Sequence, residues 1–154
     1  MKAVLEARDV GRLLPHRYPI LLVDRILEIE EGKRIVGLKN FTADEPFFQG
    51  HFPGNPIVPG TILVEAMAQV GALFVLGTKP SSRAGMLYLA GLDGVRFRRP
   101  VQPGDQVLFE LELVTKKKDT WKVRGTARVG DSVVMEATLL AVYQAGPETE
   151  EEEG

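Results

Sequence analysis

Residues 62–76, reading Ile-Leu-Val-Glu-Ala-Met-Ala-Gln-Val-Gly-Ala-Leu-Phe-Val-Leu, are apolar almost all the way round a helical wheel, with Glu65 and Gln69 as the polar interruptions. A helix of this kind has no face to give to water, so the rest of the chain has to enclose it. It is too short and too interrupted for a membrane span. The chain has 154 residues, enough for one domain with a proper core. What surrounds the helix must therefore come from the flanking sequence, and that sequence is strand-rich.

Before the helix, Asp9 is the expected N-cap of a short helix over residues 10–14, stopped by Pro15. Residues 16–19 form a loop. Segments 20–30 and 33–41 are rich in β-branched residues and flank Glu31-Gly32, which predicts a hairpin. After the helix, residues 77–85 are a turn-rich linker, followed by strands over 88–97 and from 107 to 113. Trp121, Val123, Gly125, Ala127 and Val129 alternate with Lys122, Arg124, Thr126 and Arg128, a period of two with one wet face. A last strand covers 133–143. The expected architecture is α+β: about six antiparallel strands wrapped around one long central helix, with one further short helix.

Composition narrows the chemistry. The chain has no cysteine and only two histidines, so thiolate chemistry is excluded and neither a zinc site nor another metal or cofactor is expected. Glu148 and the acids over 150–153 form an acidic tail, expected to be disordered, after a domain spanning residues 1–147. Without these five, 16 of the 21 acidic side chains remain against 19 basic ones. The body is mildly basic, which permits an acidic partner. No nucleic-acid or membrane partner is expected. The N-terminus lacks a signal-peptide pattern, so a cytoplasmic setting is the expectation.

The loop before the helix, Gly50-His51-Phe52-Pro53-Gly54-Asn55-Pro56-Ile57-Val58-Pro59-Gly60-Thr61, is stiffened by three prolines. Such stiffening suits a positioned group, and neutral imidazole, titrating near ~6.5, is available as a base. His51 is thus the candidate base, although a lone loop histidine is more often structural. His16, with no acid nearby in sequence, is taken as structural. Glu65 stands one residue late for a capping box begun at Thr61, the expected N-cap. Its flanks are apolar, and burial disfavours the charged form, so it is a candidate proton donor near neutral pH. The alternative is a structural acid paired with Arg17 or Arg25. Gly60 precedes the helix, where free N–H groups and the helix dipole favour developing negative charge; alternatively it merely starts the helix.

These residues carry a resemblance. The run from His51 to Gly60, followed by Glu65-Ala66-Met67-Ala68-Gln69, resembles the signature of the FabZ-type β-hydroxyacyl-(acyl carrier protein) dehydratases. The likeness extends to residues 13–19, 22–25, 40–50 and 95–105, and covers about 10–143. It implies a hot-dog fold, an antiparallel sheet wrapped around one helix. It also implies removal of water from a (3R)-3-hydroxyacyl thioester on acyl carrier protein, giving the trans-2-enoyl thioester without cofactor or metal. In those terms His51 is the base, Glu65 protonates the departing hydroxyl, and the Gly60 N–H holds the thioester carbonyl. The Ile57 carbonyl orients the His51 ring. The resemblance further implies a site completed across a homodimer, with three dimers forming a hexamer, and a tyrosine gate to the acyl tunnel at Tyr88. That tyrosine is otherwise an ordinary strand aromatic. Arg96, Arg98 and Arg99 are candidate contacts to acidic acyl carrier protein, or else charges protecting an edge strand. A bifunctional dehydratase/isomerase, in which relatives carry Asp where Glu65 stands, and a hot-dog acyl thioesterase are the alternatives.

Overall fold

The computed structural model describes residues 3–77 and 85–146. The expected acidic tail over 148–154 and most of the 77–85 linker lie outside them. In chain order the elements are α1 (Ala7–Leu13), β1 (Arg25–Glu30), β2 (Arg34–Asn40), a 3-10 turn (Pro46–Gln49), α2 (Gly60–Leu76), β3 (Met86–Phe97), β4 (Gln106–Lys117), β5 (Thr120–Val129) and β6 (Ser132–Gln144).

The six strands form one antiparallel sheet in the order β1-β2-β4-β5-β6-β3. The first hairpin takes one edge. Helix α2 then carries the chain across the inner face, so that β3 lands on the opposite edge. The β4-β5-β6 meander fills the gap between them. At about 1.5 Å per residue, the 17 residues of α2 reach roughly 25 Å, enough to cross a bent sheet. This is the enclosing sheet that the all-round apolar helix required, in the hot-dog arrangement that the resemblance implied.

Close approach of helix and sheet depends on two strand glycines. A methyl group on Gly37 of β2 would stand 2.7 Å from Val70 Cγ2, and one on Gly125 of β5 would run into the Met67 side chain. Each glycine is a hole that takes a knob from α2. Met67, Val70 and Leu73 of the helix, Phe109 and Leu111 of β4, and Met135 of β6 are wholly buried where they meet. The alternation in β5 appears as expected: Trp121, Val123, Gly125 and Ala127 point in, while Lys122 and Arg124 point out.

Several boundaries differ from the sequence expectation. Helix α1 starts earlier, with Glu6 as its N-cap; Asp9 is its third residue, and the Asp9 carboxylate accepts the Glu6 N–H at 2.9 Å. The N-cap of α2 is Pro59, not Thr61, and no side chain caps it. Residues 20–24 are not strand. Ile20 and Leu21 donate to the Arg17 carbonyl and Asp24 to the Leu38 carbonyl, while Gln69 Oε1 accepts the Leu22 N–H at 2.9 Å and Gln69 Nε2 donates to the Ile20 carbonyl at 2.6 Å.

The two sheet edges are unlike. Along β1, the Leu5 backbone exchanges hydrogen bonds with Ile26, covering that edge locally. The outer edge of β3 pairs with no strand among the described residues, and Tyr88, Leu89, Leu92 and Phe97 on it are exposed.

Candidate active site

His51 sits between the 3-10 turn and α2, in a loop held by its own backbone. The His51 N–H donates to the Phe47 carbonyl, and Phe52 and Asn55 exchange hydrogen bonds in a tight turn that Gly54 completes at φ +76°. Ile57 binds His51 twice. Its N–H donates to the His51 carbonyl at 3.0 Å, and its carbonyl lies 2.8 Å from His51 Nδ1. A carbonyl only accepts, so Nδ1 carries the hydrogen. The other ring nitrogen, Nε2, is left with its lone pair, which is the form a base needs. The Phe52 ring stacks on the imidazole at 4.0 Å.

Gly60 is the first residue of α2, so its N–H belongs to the set that no helical carbonyl can satisfy. A methyl at Gly60 would come within 2.7 Å of the Phe97 ring, so glycine lets the end of β3 close over the helix start. His51, Ile57, Gly60, Phe97, Arg98 and Arg99 line one open groove of about 610 Å³.

Glu65 opens into a different space. With His16, Gln69, Leu87, Trp121 and Leu139 it lines a mostly apolar cavity of about 140 Å³ between α2 and the sheet. Its carboxyl is not enclosed by apolar groups, as its flanks suggested. Gln69, one helical turn on and 1% exposed, donates to Glu65 Oε1 at 2.9 Å, and His16 Nε2 stands 3.4 Å from the same oxygen. Neither arginine considered as its partner pairs with it. Arg17 donates to the Leu14 and His16 carbonyls, and Arg25 pairs with Glu6. His16, taken as structural because no acid lies near it in sequence, stands against the candidate acid.

Within one chain, His51, Ile57 and Gly60 are therefore brought together, and Glu65 is not in their groove. Tyr88 lies on β3, 51% exposed, between Leu87 and Leu89, which line the Glu65 cavity. Arg96 donates to the Val95 carbonyl. Arg98 is hydrogen-bonded to Glu136 at 2.9 Å. The Arg99 side chain bonds to nothing among the described residues. Sequence reasoning missed the roles of Gln69, His16 and Phe97 here. Gln69 did leave a signal: an amide four residues after an acid, on a helix otherwise closed to polar groups.

A FabA-like domain model matches residues 14–138. A protein of Caldicellulosiruptor saccharolyticus named 3-hydroxyacyl-[acyl-carrier-protein] dehydratase FabZ is 55% identical over 135 residues, covering 88% of this chain and 96% of that protein. One of the same name from Hydrogenobaculum sp. is 52% identical over 140 residues, covering 89% and 93%. Among solved structures, the dehydratase heterocomplex ApeI:P of Xenorhabdus doucetiae superposes with a TM-score of 0.73 at 20% identity, covering 88% of this chain and 90% of that one. Cj0977, a sigma28-regulated virulence protein of Campylobacter jejuni, superposes with a TM-score of 0.67 at 16% identity, covering 94% and 96%. These two likenesses carry the fold alone. With a domain match over most of its length and relatives at half identity that it spans almost end to end, this chain belongs to the FabA-like family and, within it, to the FabZ-type 3-hydroxyacyl-[acyl-carrier-protein] dehydratases.

Proposed function

We propose that the protein dehydrates (3R)-3-hydroxyacyl chains carried as thioesters on acyl carrier protein, giving trans-2-enoyl thioesters in fatty acid elongation. His51 Nε2 takes the C2 proton, and the electron pair moves towards the thioester carbonyl, whose oxygen accepts the Gly60 N–H. Glu65 gives its proton to the C3 hydroxyl, the C–O bond breaks and water leaves. The observation that carries this reading is the His51–Ile57 hydrogen bond, which leaves a basic nitrogen in the groove that also holds the start of α2. A backbone donor aimed at a developing oxyanion is worth about 10²–10³ in rate.

Base and acid occupy separate spaces of one chain, so one substrate meets both only if a second copy supplies one of them. The unpaired edge of β3 and its exposed Tyr88, Leu89 and Leu92 support a homodimer joined along that strand, with a trimer of dimers as the larger assembly. Tyr88 would then stand at the junction, as a gate. Arg99, with no partner among the described residues, and Arg96 are the charges offered to an acidic carrier protein; Arg98 is already engaged by Glu136. A cytoplasmic setting goes with this reading. Among the described residues no helix is long and apolar enough to cross a membrane.

The test is direct. Purified protein mixed with a 3-hydroxyacyl carrier protein should produce the ultraviolet absorbance of an enoyl thioester, and His51→Ala and Glu65→Gln should not. Release of free thiol instead would assign a thioesterase, and a cis-3-enoyl product would assign an isomerase as well.

A further inference from the structure

The dehydration proposed above leaves a proton imbalance at each turnover. His51 gains the proton from C2 and Glu65 loses one to the departing water. Before the next turnover His51 must release a proton to solvent and Glu65 must receive one. Within one chain the two groups open into different spaces, so the group nearest each of them is a candidate for its own reset.

His16 stands where the second transfer is needed. Its Nε2 is 3.4 Å from Glu65 Oε1, and its side chain is 27% exposed against 33% for Glu65. It lines the Glu65 cavity and also a second one of about 270 Å³, bounded by Pro15, Ala72, Leu76, Met86 and Leu87. It thus forms part of the wall between them.

The two imidazoles are held in opposite ways. His51 Nδ1 is fixed to a carbonyl, which locks one tautomer. His16 Nδ1 is buried and has no hydrogen-bond partner among the described residues, so the ring's one polar contact is the Glu65 carboxyl at Nε2. An imidazole locked by a carbonyl is a standing base. The His16 ring instead has its Nε2 turned to a carboxyl, the group to which it can pass a hydrogen. The carboxyl it faces is meanwhile held still by Gln69, whose amide is anchored to the Ile20, Leu22 and Val23 backbone. The Arg17 guanidinium, the cation nearest in sequence, is turned to the Leu14 and His16 carbonyls rather than to the ring.

We propose that His16 is a positioning residue that reloads Glu65 with a proton between turnovers. Protonated His16 gives its Nε2 hydrogen to the Glu65 carboxylate and recovers one from water, while His51 discharges to solvent. The inference rests on the dehydratase reading.

The test measures kcat and KM for 3-hydroxyacyl carrier protein with wild type, His16→Gln and His16→Ala, each with added imidazole. Glutamine keeps an N–H donor but cannot titrate. Both variants should lose about tenfold or more in kcat with KM unchanged. Imidazole should restore His16→Ala saturably, while leaving wild type and Glu65→Gln unaffected. Should His16→Ala not fold, a rise in His16→Gln turnover with small-buffer concentration supports the same proton transfer. Wild-type kcat in His16→Gln, a loss shared between kcat and KM, or no response to imidazole or buffer would overturn the inference alone. Wild type without turnover would overturn the parent reading and this one with it.

Discussion

His51 and Ile57 are tied by two hydrogen bonds of opposite sense, backbone N–H to carbonyl at 3.0 Å and carbonyl to ring nitrogen at 2.8 Å. The second bond sets the tautomer of the first residue. Nitrogen NMR at neutral pH should find Nδ1 of His51 bearing hydrogen and Nε2 bare. His51→Ala should lose about 10²–10⁴ in kcat, while the lost Ile57 hydrogen bond should cost only about 0.5–1.5 kcal/mol of stability. A ring protonated at Nε2 alone would contradict the assignment of a base.

Gly60 and Phe97 make a paired prediction. Gly60→Ala puts a methyl into the Phe97 ring, an overpacking that costs roughly 1–3 kcal/mol. Phe97→Leu should relieve it. Unfolding free energies of the two singles and the double should therefore be non-additive, with the double more stable than Gly60→Ala alone. Additive values would mean that the two side chains do not meet.

Gln69 is the most heavily bonded side chain of α2. Gln69→Leu leaves the buried Leu22 N–H without its acceptor, and one orphaned backbone group costs about 1–3 kcal/mol. Activity should fall further than stability, because Glu65 loses its 2.9 Å donor. Leu73→Ala is the control: wholly buried in the core, it should cost about 2–5 kcal/mol and leave the turnover of folded protein intact.

The Arg98 guanidinium, through its hydrogen bond, holds the Glu136 carboxyl below its usual value of 4.5. The unfolded chain therefore takes up this proton first as pH falls. The pair's contribution is present above the usual carboxylate value and disappears as pH drops through the depressed one. Urea midpoints should show wild type above Arg98→Gln at pH 6 and the gap closing as pH falls below 4.5, with salt shrinking it throughout. A gap that widens in acid would contradict the pairing.

Arg99→Glu should raise KM for carrier-linked substrate while leaving a small-molecule thioester of the same acyl group untouched. Wild-type KM should rise with ionic strength, and the variant's should not. Equal effects on both substrates would place Arg99 in the groove's chemistry instead of at a docking surface.

Much of the fold is legible in the residues. A helix with no polar face demands enclosure, and period-two strands supply the wrapper, so α2 and β5 can be read from local pattern alone. Residues 20–24 read as strand because their β-branched character says nothing about who takes their backbone hydrogen bonds. For Leu22, Val23 and the Ile20 carbonyl the taker is Gln69, more than forty positions away. His16 escapes a sequence reading for the same reason: its acid is near in space and distant in sequence. Local propensity records neither fact. The Pro/Gly loop does advertise a positioned histidine, since rigidity can be written into one short stretch.

Sheet order has a consequence for growth. One margin of the sheet is covered at Ile26 by Leu5, and the other, along β3, pairs with no strand among the described residues. Joining two β3 margins leaves a doubled sheet with a β1 margin on both sides. Further growth would have to start from the β1 margins, where Leu5 already occupies the backbone of Ile26.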